Sequence, residues 1–588
     1  MLRQKLSKWA TFFPCAAILG LLCIFTGCQQ HAYRRGVPYT SPDLINRSVV
    51  EPDPSLSCPK AGPGCALDLN NTAHPQAFSL AYLEFDDAGE LWSIGNARQD
   101  KAAVYPPSQL ELAVDLVQRK RQEALASHRP LLVMTFVHGW QNNASPGDER
   151  SLKNLGSFKN SLQFLATDCG QRNRYAKNKT CPVVVGIFFA WRGRVIPIDY
   201  VHVFSYANRR NVANHVGGPS MSEAVTLLAL ATKGSPGNYE AANACQPDPD
   251  PTGLETHFLV VGHSFGARAL EHGVTQSMLS ILLERKAQAL ACVDRWKLEN
   301  PTKPNEPSIQ ITPPIDLIAF VNPANDSLEA KSMIEAFKRA GLTDQNFTHP
   351  LILSIKSKGD STTGSIMWLG QSIASGRPTK RLYDRGPNGP TACEQGQLGL
   401  KAQSFYYKRS PGGVSNMASH EIKPAPAPPT ATAKSEDECS ARNSGSRDVQ
   451  YFWGGGSVTG KGGRCFQVTT VKKILEDDQN AAHFLQRYTD PEIMQFYSCS
   501  PDLYDPVHKS AVVPVWNDTP YYVMDAPNDL IRGHDGIFEK GVFNLLLLLS
   551  SEQASVPVRP SQTTISPTGA PKALPEFYPP SSAPPTSR

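Results

Sequence analysis

No CxxC pair occurs among the 13 cysteines of this 588-residue chain, which removes the usual spacing signature of a zinc site or a thioredoxin-like redox centre. No long basic run appears either, and 58 Lys and Arg against 53 Asp and Glu leave a formal charge of only +5. Nothing in that balance points to nucleic acid. No internal repeat is visible, which argues against a solenoid or array. Charged residues are sparse at 19%, whereas 40% of the chain is hydrophobic. That share excludes a mostly disordered chain and suffices for a large core. Proline is plentiful, at 49 residues beside 43 glycines, so structureless segments are expected.

Several of those segments lie at the ends. Arg3, Lys5 and Lys8 precede an apolar stretch from Trp9 to Phe25 that is short for a membrane span and has the order of an export signal. It ends in Ile24-Phe25-Thr26-Gly27-Cys28, which resembles a bacterial lipobox, although Phe25 stands where Leu, Val or Ile is usual. That resemblance implies a signal peptide over 1–27, a diacylated Cys28 as first mature residue, and, with Gln29 next, attachment to the outer membrane. Cys15 and Cys23 would be lost and Cys28 occupied by lipid, leaving ten cysteines able to pair in an oxidising periplasm. Cys58–Cys65 and Cys169–Cys181 are the local candidates. Residues 28–75 read as a tether and 553–588, rich in Pro, Ser and Thr, as a disordered tail.

Between them the pattern is regular. Strands are expected over Phe78–Phe85, Leu131–Val137, Val183–Ala190, His257–Val261, Ile315–Val321 and Leu351–Ser357. Helices are expected from Ser108, as N-cap, to about Ala126, then over 151–166, 205–213, 221–232, 266–292 and 327–340. Unalternating Val/Ile/Leu/Phe strands separated by helices imply an α/β fold, a mainly parallel sheet with helices on both faces. Residues 395–515 read as an insertion, a Pro/Ala spacer plus a disulfide-stapled lid or subdomain. Tyr521–Met524 and Gly536–Leu549 then supply a last strand and helix, so the core domain spans 76–394 and 516–552.

Gly262-His263-Ser264-Phe265-Gly266 matches G-x-S-x-G. Composition alone yields roughly 0.2 such matches in a chain of this length. Here the motif directly follows a strand and precedes a helix, the context of a nucleophile elbow. Gly262 and Gly266 avoid side-chain clashes, and Ser264 projects at the amino end of a helix whose dipole favours negative charge. An oxyanion hole needs two donors: the Phe265 N–H and one from an earlier loop. His138-Gly139-Trp140 follows Leu131–Val137, and Gly139 lets the chain turn so that the Trp140 N–H faces a substrate carbonyl. His138 is expected to brace this loop by hydrogen bonds rather than act as a base.

Together, Val137-His138-Gly139-Trp140-Gln141-Asn142-Asn143-Ala144, Ala190-Trp191-Arg192-Gly193, the elbow and Asn322-Pro323-Ala324 resemble motifs of α/β-hydrolase fold proteins. More narrowly, the chain resembles bacterial esterase- or lipase-like lipoproteins, over about 78–360 and 520–550. The resemblance implies that an acid and a histidine follow the serine. Asp360, after Leu351–Ser357, is the expected acid, with Asp326 as the alternative; Asp326 also suits an N-cap. His534, between the last strand and helix, is the expected base, ahead of His420, His483 and His508. His263 is expected to point into the sheet. The implied chemistry is acyl transfer from a small-molecule or lipid ester, with no metal or organic cofactor. Trp140, Phe265 and Trp191 would suit an acyl chain, although Trp191 also reads as core; Arg192 and Arg194 read either as anion contacts or as solvated. The rivals are a peptidase or thioesterase using the same triad, and a non-catalytic binding lipoprotein.

Overall fold

The computed structural model describes residues 77–91, 108–144, 149–167, 180–194, 205–234, 252–302, 307–325, 327–360, 419–426 and 519–550. Shorter pieces are described at 50, 239–241, 244–247, 362, 439, 449–453, 465–470, 504–505 and 510–511. The lipobox with Cys28, most of the tether, the tail, Asp326, His483 and His508 lie outside the described residues.

Ten strands make one sheet: β1 (Phe78–Phe85), β2 (Leu131–Val137), β3 (Val183–Trp191), β4 (Thr256–His263), β5 (Leu317–Val321), β6 (Ile352–Ser357), β7 (His420–Pro424), β8 (Val449–Trp453), β9 (Cys465–Thr470) and β10 (Tyr521–Ala526). Their order is β1-β3-β2-β4-β5-β6-β10-β7-β9-β8. Pairings from β1 through β7 are parallel, and β9 and β8 close that edge antiparallel. β1, β2 and β3 are buried along their whole length. That is the burial expected of parallel strands covered on both faces. The mainly parallel α/β architecture expected from the sequence is therefore present.

Among the described residues seven main helices cover it: α1 (Gln109–Ser127), α2 (Glu149–Thr167), α3 (Tyr206–Val216), α4 (Pro219–Lys233), α5 (Phe265–Glu299), α6 (Ser327–Arg339) and α7 (Lys540–Ser550). α1, α3, α4, α5 and α6 pack into one hydrophobic layer and α2 and α7 into the other. Ser108 starts α1 with a capping box: its Oγ accepts from Glu111 N at 3.1 Å, and the Glu111 carboxylate accepts from Ser108 N at 2.5 Å. Leu110, Ala113, Leu116, Val117 and Ala124 then fall on the buried side. Each fully buried leucine or phenylalanine of these layers contributes about 1.5–3 kcal/mol of transfer free energy.

Three differences from expectation concern positions. The helix expected over 266–292 runs to Glu299, where Leu298 is already largely exposed. The last helix is split, with a 3-10 turn at Gly536–Phe538 before α7. Within 395–515, β7, β8 and β9 extend the main sheet, since β7 pairs beside β10. Among the described cysteines, Cys245 pairs with Cys292 and Cys439 with Cys465, and Cys181 is also disulfide-bonded. Cys58, Cys65 and Cys169 lie outside the described residues. Among the described residues no helix is long and apolar enough to cross a membrane.

Candidate active site

The centre of the sheet is β4, which ends at His263; α5 begins at Phe265, so Ser264 alone makes the turn. Its backbone sits at φ 55°, ψ −122°, outside the regions that side-chain-bearing residues favour. Holding a serine there costs on the order of 1–3 kcal/mol, and the surroundings must enforce it. They do so by close approach. A Cβ on Gly266 would lie 2.2 Å from the Val137 carbonyl oxygen, and one on Gly262 2.6 Å from Ala267 Cα. Only hydrogen fits at either position. Ser264 is 7% exposed, at the positive end of a 35-residue helix whose first N–H groups, Phe265 among them, lack intrahelical acceptors.

Gly139 lies against this turn. A Cβ there would meet Ser264 Cβ at 2.9 Å and the His263 carbonyl oxygen at 3.0 Å, so the loop after β2 packs its backbone onto the elbow. Two reciprocal bonds to the loop after β3 hold it: Gln141 N to Gly193 O at 3.1 Å and Gly193 N to Asn142 O at 3.0 Å. Behind it His138 is fully buried. Its Nδ1–H donates to Gly139 O (2.9 Å), Nε2 accepts from Trp191 N (3.1 Å), and its ring stacks on Trp191. Trp191 Nε1 returns a bond to His138 O at 2.8 Å. Burial lowers the His138 pKa to about 4, so it stays neutral in the tautomer these bonds require. The expected bracing role is what the geometry displays, and Trp191 is core. Trp140 is half-buried, with its ring against Tyr206 and Phe265 and its Nε1 donating to Ser205 Oγ at 3.3 Å.

Asp360 and His534, 174 residues apart, meet at the carboxyl ends of β6 and β10: His534 Nδ1 and Asp360 Oδ2 are 3.0 Å apart. The Asp360 side chain is fully buried and that of His534 is 15% exposed. Asp360 Oδ1 accepts a second bond, from Thr362 N at 3.0 Å. A carboxylate at Nδ1 places the imidazole proton there and the lone pair on Nε2. Ser264 Oγ forms no hydrogen bond to His534 or to any other described residue. His420, one of the alternative bases, is buried in β7, stacked on Tyr522 and bonded to Ser419 Oγ, far down the sheet order from Ser264.

His263 departs from expectation. Its ring packs on His534 (centroids 4.8 Å apart), and its Nε2 donates to the His534 carbonyl oxygen at 2.9 Å. Burial, followed by the neighbouring His534, lowers its pKa to about 4. Donor atoms of His263, His534 and Asp535 lie within 4.8 Å of one another, the described grouping that comes nearest to a metal-ligand set. Arg192 is not a free anion contact: its guanidinium bonds Asp87, as does that of Arg209 at 2.9 Å. Burial would raise the Asp87 carboxyl, but the two arginines outweigh it and hold it below its ordinary value.

Compared with models of known protein families, with curated proteins and with solved structures, the chain matches none. Fold and geometry therefore define a mainly parallel α/β protein with a strained strand–serine–helix turn beside an aspartate–histidine pair.

Proposed function

We propose that this chain is a serine hydrolase of the α/β-hydrolase class that works through an acyl-enzyme, with carboxylic esters as its substrates. The observation that carries this is the conformation of Ser264, forced to φ 55° at the head of α5 while Asp360 and His534 pair at 3.0 Å. Backbone strain clusters at active sites, and a strained serine between a strand and a helix is the form of a nucleophile elbow. Ser264 Oγ attacks the ester carbonyl and His534 Nε2 takes its proton. Asp360 fixes the imidazole tautomer and stabilises the imidazolium. The Phe265 and Trp140 N–H groups receive the oxyanion, aided by the dipole of α5. His534 then returns the proton to the leaving alcohol, and water repeats the sequence on the acyl-enzyme to release the acid and restore Ser264. Contacts between catalytic groups often tighten only with substrate bound, which accommodates the unpaired Ser264 hydroxyl.

The half-buried Trp140 ring beside Phe265 and Tyr206 supplies apolar surface suited to an acyl chain, small-molecule or lipid. With the lipobox, the enzyme is placed on the outer membrane through lipid on Cys28. A panel of short- and long-chain p-nitrophenyl esters, run beside thioester and peptide substrates, tests the substrate class. Ester turnover that disappears in Ser264→Ala is the expected result. Peptide or thioester turnover without ester turnover would replace esters as the substrate class, and binding without any turnover would leave a non-catalytic lipoprotein.

A further inference from the structure

Asn322 belongs to the Asn322-Pro323-Ala324 motif, to which the acyl-transfer chemistry gives no task. It follows β5 directly, is fully buried, and adopts φ 45°, a left-handed conformation that asparagine tolerates better than most residues. Its carboxamide uses both N–H groups and its oxygen on two loops. Nδ2 donates to Gly533 O at 2.9 Å and His534 O at 2.8 Å, and Oδ1 accepts from Ser357 N at 2.8 Å. Ser357 is three residues before Asp360. Two residues beyond Asn322, the Ala324 N–H donates to the Ser264 carbonyl oxygen at 3.1 Å, while Ser264 N donates to Val321 O at 3.3 Å. One short segment therefore touches the serine turn, the aspartate loop and the histidine loop.

A second strut joins the last two loops without it: Ser357 Oγ donates to Ile531 O at 2.6 Å. Aspartate and histidine would remain docked to each other if Asn322 were removed. The bond from His263 Nε2 to His534 O, at 2.9 Å, also ties the histidine loop to the serine turn. The carboxamide adds the link that places both loops together relative to Ser264, because Asn322 is fixed to the same strand end that bonds the serine backbone.

We propose that Asn322 is a positioning residue that sets where the Asp360–His534 pair stands relative to the Ser264 hydroxyl; this rests on the serine-hydrolase function proposed above. Asn322→Gly is the informative change. Glycine adopts φ 45° without strain, so the backbone is preserved and the three hydrogen bonds are lost. The full-length protein is titrated with a fluorophosphonate probe to count reactive serines, and kcat and KM for p-nitrophenyl butyrate are expressed per labelled site. Displacement of a catalytic pair by about 1 Å costs on the order of 100-fold. The expected result is a fall of that order in kcat per site and in labelling rate, with KM within threefold. A purely structural role would lower the melting temperature and the number of labelled sites but leave kcat per labelled site unchanged, and that result overturns the proposal. Should Asn322→Gly fail to fold, hydrogen exchange of the Asn322 side-chain amide in the wild type decides. Both protons protected is the expected outcome, and exchange at the rate of a free amide overturns the proposal. Wild-type protein that the probe never labels overturns the hydrolase function and this proposal with it. Labelled wild type with an Asn322→Gly variant of unchanged kcat per site overturns the role of Asn322 alone.

Discussion

Gly139→Ala adds one methyl group where the loop after β2 presses on the serine turn. Gly139 does not have a positive φ, so alanine brings no backbone strain and its effect comes from space alone. The new carbon would stand 2.9 Å from Ser264 Cβ, against an ordinary contact of 3.4–4 Å, and 3.0 Å from the His263 carbonyl oxygen. Relief requires a separation of at least 0.5 Å, the difference between 3.4 and 2.9 Å. Ser264 is the stiffer partner, because its neighbour Gly266 is locked against the Val137 and His138 carbonyls. The loop carrying Trp140 should therefore give way, and the oxyanion donor with it. A displacement approaching 1 Å costs about 100-fold, and complete loss of one oxyanion donor about 100- to 1,000-fold. We expect kcat to fall about 10- to 100-fold, equivalent to about 1.4–2.7 kcal/mol of transition-state stabilisation, with KM little changed. Folded stability should fall by about 1–3 kcal/mol, the usual cost of overpacking. Steady-state ester hydrolysis and thermal melting of the same preparation measure both. A folded Gly139→Ala protein with wild-type kcat would refute the placement of this loop as an oxyanion donor.

Other perturbations report on separate parts of the molecule. Asp360→Asn should remove about 1,000- to 10,000-fold of kcat by admitting the wrong His534 tautomer, read in the ester assay; a loss below tenfold would exclude Asp360 as the acid. His138, His263 and His420 are held neutral by burial, with pKa values lowered to about 4, 4 and 3. The unfolded chain takes up protons on them near pH 6.5 whereas the folded chain does not, so stability is present above that pH and lost as pH falls toward 4. Melting temperature followed from pH 7 to 4 should drop, and His420→Phe should make the drop shallower. Removing the Cys245–Cys292 disulfide, which closes a 47-residue separation, should destabilise the fold by up to about 4 kcal/mol on the chain-entropy account. Denaturant titration of the double Cys→Ser variant measures it, and ester turnover should persist, because the bond ties down the half of α5 remote from Ser264. Cys28→Ser should move the protein from the membrane to the soluble periplasmic fraction on cell fractionation.

The parts of this fold that were legible in the sequence are those whose physics is local. Leu131–Val137 is a continuous apolar run and appears as a strand with the expected ends. Ser108 caps α1 as expected, and Glu111, three residues on, completes the capping box. The elbow was legible because two glycines flank a serine between a strand and a helix. Asn322 and His263 were opaque in role for the opposite reason. Their partners, Ser357, Gly533 and His534, lie from 35 to 271 residues away, and nothing in an asparagine or histidine tells which distant carbonyl it will meet. The same holds for Cys245–Cys292. Short, half-exposed β8, alternating between buried and partly buried residues, could be read as folded, but its place on the edge of the main sheet follows from pairing that sequence spacing does not encode. Arg192 failed as an anion contact because Asp87, its partner, sits 105 residues earlier in a turn.

Covalent labelling of the purified mature protein with a fluorophosphonate probe tests the central claim most directly. Stoichiometric modification mapped by mass spectrometry to the peptide containing Ser264, and abolished in Ser264→Ala, is the predicted result. Folded wild-type protein that remains unlabelled, or that is labelled equally well after Ser264→Ala, would contradict it.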